Sequence, residues 1–215
     1  MDEQFQTIKK KRIAIIGSRG YPVVYSGFET LVKELAEGLR DKNFDITVYC
    51  HDHLFDKKPD KVNGINLVYI KTSRSKNFAQ LLHSSKSILH CCLKRYDLIF
   101  AVNSANGIFG LLPKIFRIPN VINVDGMEWK RPKWNFLGKT FFYLSSWFSS
   151  FFYSRVITDA DAMALIYKDK FFCNSDVIEY GANINYNDDA NFEKDELFIK
   201  KILVDGGPTI KRFRP

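Results

Sequence analysis

Short apolar runs rich in β-branched residues alternate with helical patterns along most of this chain, and no other regularity restricts its folding so strongly. Arg12 to Ile16 (RIAII) carries a continuous apolar stretch, as a parallel strand buried on both faces must. Phe28, Leu31, Val32, Leu35 and Leu39 then recur at helical spacing up to Arg40. Asp45 to Cys50 (DITVYC) and Ile65 to Lys71 (INLVYIK) read as strands with a polar loop between them. From Asn77 to Lys94, Phe78, Leu81, Leu82, Ser85, Ile88, Leu89 and Cys92 trace one helical face, and DLIFAV (Asp97 to Val102) returns as a strand. A short helix around Gly107 to Phe116, a strand at Val121 to Val124, an aromatic helix, a strand at Arg155 to Thr158, a helix over Ala160 to Tyr167 and a strand at Val177 to Tyr180 complete the pattern. Parallel neighbours need crossover connections, so this alternation predicts an α/β domain built on a doubly wound parallel sheet. That domain is expected to occupy residues 1–182. Beyond it the chain turns polar and rich in Asn and Asp, so 183–215 read as linker and tail.

Lysine and arginine outnumber the acids 32 to 24, a formal net charge of +8. Such a balance favours an anionic partner, whether nucleic acid, lipid headgroups or a phosphorylated substrate. No recognised nucleic-acid motif accompanies the charge, so nucleic acid is not expected among the partners. Cys50, Cys91, Cys92 and Cys173 show no CxxC spacing and read as reduced thiols of a cytoplasmic protein. The basic start precedes an apolar run too short for a secretory signal. His51, His53, His83 and His90 lack a further ligand at recognisable spacing, so no metal site is expected and the histidines read as structural.

The run Thr140 to Ser154 (TFFYLSSWFSSFFYS) is uncharged between Lys139 and Arg155. It falls short of the roughly 20 apolar residues that cross a bilayer. On a helix, Ser145, Ser146, Ser149 and Ser150 share one side, while Phe141, Leu144, Phe148, Phe151 and Phe152 occupy others. Two readings stay open. One is a buried helix, apolar nearly all round. The other is a helix resting on an anionic membrane surface, with Lys130, Arg131, Lys133, Lys139 and Arg155 among the headgroups.

Two loops at strand ends carry candidate chemistry. In an open α/β sheet, ligands bind outside the carboxyl ends of the strands, where a helix N-terminus offers free N–H groups to a phosphate. The first loop runs from Gly17-Ser18-Arg19-Gly20-Tyr21-Pro22 through Tyr25-Ser26-Gly27-Phe28-Glu29 into the first helix. Its GSRG spacing does not fit G-x-G-x-x-G, and no acid stands where a ribose would need one, which argues against a nicotinamide cofactor. A structural βα turn is the alternative. The second loop, Asp125 to Trp134 (DGMEWKRPKW), crowds two acids, three cations and two tryptophans after a strand. Acids can orient a sugar hydroxyl, a guanidinium can pair with phosphate, and an indole face can stack on a sugar. The alternative is a charged surface loop whose tryptophans fold back on the core.

In IAIIGSRGYPVVYSGFETLVKELAEGL (Ile13 to Leu39), INVDGMEWKRPKW (Ile122 to Trp134) and VIEYGAN (Val177 to Asn183), the chain resembles the N-terminal region of bacterial GT-B glycosyltransferases. The group concerned assembles capsule and O-antigen repeat units and includes rhamnosyltransferases. The resemblance implies a Rossmann-like N-terminal half that mainly holds the acceptor and faces a second, donor-binding domain. Only 34 residues follow Gly181, so the C-terminal half is expected to be largely absent. It also implies transfer of a hexose or deoxyhexose to a lipid-linked saccharide acceptor at the inner face of the cell membrane, with rhamnose from dTDP-rhamnose as the specific case. Retention of configuration is implied, and no cofactor beyond the nucleotide sugar. By the same resemblance, Gly20, Ser26 and Gly27 approach the donor diphosphate, and Glu128, Trp129, Arg131 and Trp134 shape the acceptor site. Asp125 is the implied catalytic group that orients the acceptor hydroxyl. The family usually has Tyr-Gly-Gly-Phe-Glu where Tyr25-Ser26-Gly27-Phe28-Glu29 stands here. The alternative is a non-catalytic or split-subunit module that binds acceptor and membrane and works with a separate donor-binding subunit.

Overall fold

The computed structural model describes residues 10–22, 27–72 and 79–181; Ser26 and the expected tail at 183–215 lie outside them. Its elements are β1 (Arg12–Ile16), α1 (Gly27–Asp41), β2 (Asp45–His51), β3 (Lys61–Val62), β4 (Ile65–Ile70), α2 (Ala79–Lys94), β5 (Leu98–Val102), α3 (Leu111–Ile115), β6 (Asn120–Val124), α4 (Phe136–Phe152), β7 (Arg155–Thr158), α5 (Asp161–Phe171) and β8 (Asp176–Val177). The described strands form one sheet in the order β3-β4-β2-β1-β5-β6-β7-β8. All neighbours are parallel except β3 against β4. The compact unit that holds the sheet ends at Ile178.

The expected α/β class is what forms, with differences in detail. The stretch between β2 and β4, expected as plain loop, contains β3, closed onto β4 by Asn63-Gly64 with φ of 48° and 79°. A two-residue turn of type I′ needs positive φ at both positions, and Asn-Gly supplies it. The helix expected around Gly107 to Phe116 is a 3-10 stretch, Ser104–Gly110, followed by the single turn of α3. The last strand shrinks to two residues, Asp176 and Val177, opposite Ile157 and Thr158.

From β1 the chain builds outward in both directions, through β2 and β4 on one side and β5 to β8 on the other. Right-handed crossovers then put α1 on one face of the sheet and α2 to α5 on the other. The packing agrees with that geometry. Ile13 and Ile15 of β1 join Val32 and Ala36 of α1 in one core, whereas Ala14 and Ile16 join Ile88, Phe142 and Tyr167 in the other.

Helix α4 decides the shape of the second face. Its N-cap is Asn135, whose Oδ1 accepts the Gly138 N–H at 2.9 Å. Ser145, Ser146 and Ser149 are buried, and Ser145 packs on the Ser104–Gly110 stretch. The Ser145 hydroxyl lies 2.8 Å from the Ser104 carbonyl and 3.1 Å from that of Ala105, and it accepts the Ile108 N–H at 3.3 Å. A Cβ on Gly107 would overlap the Ser145 carbonyl. The two backbones therefore approach more closely than larger side chains allow, and Tyr143, Trp147 and Phe151 are turned outward while Phe142 stays in the core. Among the described residues no helix is long and apolar enough to cross a membrane.

Candidate functional site

Because β1 and β5 are neighbours whose connections leave in opposite directions, a crevice forms at their carboxyl ends, the place where open α/β sheets hold ligands. A cavity of about 940 Å³ opens there. Arg19 and Gly27 wall it after β1, Gln80 from α2, Asn103 and Ala105 after β5, and Asp125, Glu128, Arg131, Lys133 and Trp134 after β6. Leu137, Phe141 and Phe142 of α4 complete it. Both candidate loops thus meet on one rim of the sheet.

The expected residues fall into two groups. Gly27 is the first residue of α1, so the N-terminus of a 15-residue helix opens on the cavity. Glu29, in the first turn of that helix, is buried and accepts the Arg19 backbone N–H at 3.0 Å, which ties the loop to the helix. Gly20 has φ of 136°, and a Cβ there would press on Phe55 and Cys50. Its place is in the packing under the loop, and it does not wall the cavity. Ser26 falls outside the described residues. Trp129 has folded back on the core, in edge contacts with Tyr143 at 5.9 Å and Phe171 at 5.6 Å. Trp134 stays on the wall.

Glu128 is the organiser of the second loop. Its buried carboxylate accepts the Trp134 Nε1–H at 3.0 Å and pairs with Arg131 Nε at 2.8 Å and Lys133 Nζ at 3.5 Å. Lys133 Nζ also sits 4.9 Å from the Trp134 ring centroid. With both oxygens engaged, Glu128 aims the cations and the indole toward the cavity. Asp125 is in a different situation. Burial pushes its carboxyl up to about 6, and repulsion from Asp159 and Glu128 adds to the effect while Arg131 offsets part of it.

Sequence reasoning missed Asp159. Val124 and Thr158 are partners in register, so the next residues, Asp125 and Asp159, leave adjacent parallel strands side by side. Burial raises the Asp159 carboxyl as well. Its signal was available, since an acid directly after RVIT occupies the same strand-end position as Asp125. Asn103 was missed too. It holds φ 76° and ψ 132°, outside the usual regions for a side-chain-bearing residue, with its Oδ1 accepting the Ala105 N–H at 2.9 Å. Gln80 links three elements, with Oε1 3.1 Å from His51 Nε2 and Nε2 donating to the Gly17 carbonyl at 3.3 Å. His51 stacks on His83 at 3.8 Å, and burial pushes the two imidazoles down to about 4 and about 3. No group of three metal-ligating side chains occurs among the described residues.

Three comparisons bear on this arrangement. A family described as Domain of unknown function (DUF1972) matches residues 10–183. Sucrose-phosphate synthase from Thermosynechococcus elongatus superposes with a TM-score of 0.65 at 14% identity, over 86% of this chain and 53% of that one. A second structure of the same synthase gives a TM-score of 0.55 at 14% identity, over 89% and 97% respectively. These likenesses show the fold, a Rossmann-like half of the GT-B kind. Over 29 residues the chain is also 62% identical to large ribosomal subunit protein uL22 of Christiangramia forsetii, a match to 14% of this chain and 22% of that protein. So short a span carries no statement about fold or function. The chain thus covers about half the length of the longer synthase structure and about a fifth of the ribosomal protein.

Proposed function

Because this chain belongs to the DUF1972 family and folds as a Rossmann-like half of the GT-B kind, we propose that it is the acceptor-side half of a glycosyltransferase. The donor is a nucleotide sugar carrying a hexose or deoxyhexose, with dTDP-rhamnose the leading case, and the acceptor is a lipid-linked saccharide of surface-polysaccharide synthesis. One observation carries this reading. At the topological switch point a helix N-terminus and three cations, Arg19, Arg131 and Lys133, share a cavity with a carboxyl held near neutrality.

The chemistry follows from those parts. Negative charge develops on the diphosphate as the bond to the anomeric carbon breaks, and fixed cations with helix N–H groups stabilise it where it forms. Ionised Asp125 accepts a hydrogen bond from the acceptor hydroxyl and aims its oxygen at the anomeric carbon. The new C–O bond forms as the diphosphate leaves with the electron pair, and the hydroxyl proton passes to the departing phosphate oxygen on the same face, so configuration is retained. Gly27 borders the diphosphate; Arg131 and Trp134 border the acceptor. Ser26 keeps its proposed place at the donor.

Incubation with labelled dTDP-rhamnose and a lipid-diphosphate glucose acceptor tests the proposal. Transfer of label is expected where this half is joined to its donor-binding domain, and Asp125→Asn there should slow it by roughly 10²-fold. A protein that binds neither nucleotide sugar nor saccharide would overturn it. A second reading has a separate donor-binding subunit complete the cleft. Activity that appears only on adding such a subunit would select it.

A further inference from the structure

We infer that the outer surface of the α2, α3 and α4 layer docks on an anionic membrane, with the mouth of the cavity opening along it. Three features of that layer point the same way. First, α2, the Ser104–Ile115 segment and α4 contain no Asp or Glu, while Lys86, Lys94, Lys114 and Lys139 punctuate them. From Ala79 to Thr158 ten lysines and arginines face three acids, so nearly all of the chain's net charge of +8 resides in this stretch. Of the three, Asp97 accepts the Arg12 N–H, and Asp125 and Glu128 wall the cavity.

Second, the layer displays bulky apolar side chains to the outside. Phe136 is 81% exposed, Leu137 74%, Leu93 66% and Ile115 64%. Trp147 and Phe151 are exposed as well and touch each other at 4.9 Å, and Lys114 Nζ donates to the Phe151 carbonyl at 2.6 Å. Aromatic bulk beside lysine is the composition of a surface seated at the boundary between headgroups and acyl chains. A nucleic acid would use the charge and leave the aliphatic surface exposed to water. A second copy docking through the same face would set two strongly basic layers against each other.

Third, the surface runs into the site. Leu137 is both exposed and part of the cavity wall, and Phe141 and Phe142 continue that wall inward. A saccharide on a lipid anchor therefore reaches Asp125 along α4 while the anchor stays in the bilayer. This last step alone rests on the glycosyltransferase reading.

Sedimentation of the whole chain with acceptor-free vesicles tests docking apart from catalysis. Vesicles of phosphatidylcholine mixed with phosphatidylglycerol should carry the protein down, pure phosphatidylcholine should not, and about 1 M salt should release it. The double variants Lys114→Glu with Lys139→Glu and Trp147→Ser with Phe151→Ser should each weaken partition roughly tenfold. Their circular dichroism should match the parent, since the side chains lie outside the core. Absence of anionic-vesicle binding by the parent overturns the inference, as does partition unchanged in both variants or self-association through this face in place of vesicle binding. Docking without binding of nucleotide sugar or saccharide would leave this inference standing and remove the proposed reaction; saccharide binding without docking would do the reverse.

Discussion

The two faces of the sheet are covered by opposite solutions to the same problem. On one, α1 buries Val32 and Ala36, packs Leu31, Leu35 and Leu39 beside them, and spreads Lys33, Glu34, Glu37, Arg40 and Asp41 over its other sides. On the other, α2 and α4 bury polar groups beside Ile88 and Phe142, among them His83, Ser84, Ser87, Ser145, Ser146 and Ser149, and turn Leu82, Leu89, Leu93, Trp147 and Phe151 outward. The α1 pattern is what apolar transfer free energy favours when a helix lies on a sheet. The α4 pattern arises because its neighbour is backbone at close range, where only small side chains fit and a hydroxyl can satisfy a carbonyl. Outward apolarity on a helix is thus a sign of tight packing on its other side, and it leaves a surface available to a partner.

The contrast is breakable, beginning with its largest expected effect. Ser145→Leu should cost more than about 3 kcal/mol, because the added atoms meet backbone that cannot yield, whereas Val32→Ala on α1 should cost about 2 kcal/mol through a cavity. Urea midpoints of the two variants decide it, and a Ser145→Leu protein as stable as its parent would end the close-packing argument.

Next comes acid sensitivity. His51 and His83 stand below the ordinary imidazole value, so the unfolded chain takes up their protons first as pH falls. Their contribution is complete above about pH 6.5 and declines below it, reaching a loss of about 3 kcal/mol for His83 near pH 4. His83→Phe should flatten the stability curve between those values, and an unaltered slope would show that the stacked pair does not titrate with folding.

Asp125 runs the other way. Its carboxyl is raised to about 6, so the folded state retains the proton longer and stability declines as pH rises from about 4 to about 6. Asp125→Asn should therefore be about 3 kcal/mol more stable than the parent at pH 7 while losing transfer. In the parent, transfer should fall below about pH 6, and Asp159→Asn should move that inflection downward by removing the neighbouring negative charge. An inflection that does not move would separate Asp159 from the site.

The smallest effect is the sharpest control. Phe151→Ser on the outward face of α4 should change stability by less than about 0.5 kcal/mol, against about 1–2 kcal/mol for Leu35→Ser on α1. Equal costs in thermal melts would mean that Phe151 is covered.

Much of the fold was legible because strand and helix leave different periods. RIAII, DITVYC and INLVYIK read as strands from their own residues, and the helix from Phe28 to Arg40 from its spacing. The hairpin at Asn63-Gly64 carried a plain signal that went unread amid polar neighbours. Within the site, Asp125, Glu128, Arg131 and Trp134 stand out because charge and indole crowd one loop. Trp129 could not be told from Trp134, since both lie in the same ten residues and only packing on Tyr143 and Phe171 separates them. Gly20 likewise meets a packing demand set by Phe55 and Cys50, which are distant in sequence.

What the sequence by itself determined is local: the alternation of elements, the parallel sheet that such alternation requires, and the placement of two chemically dense loops at strand ends. Tertiary structure alone decided which side of α4 faces inward, that Asp159 stands beside Asp125, and that Glu128 orders its loop. Periodicity is written in neighbouring residues, whereas burial, register and charge coupling depend on what the folded chain brings within a few ångströms.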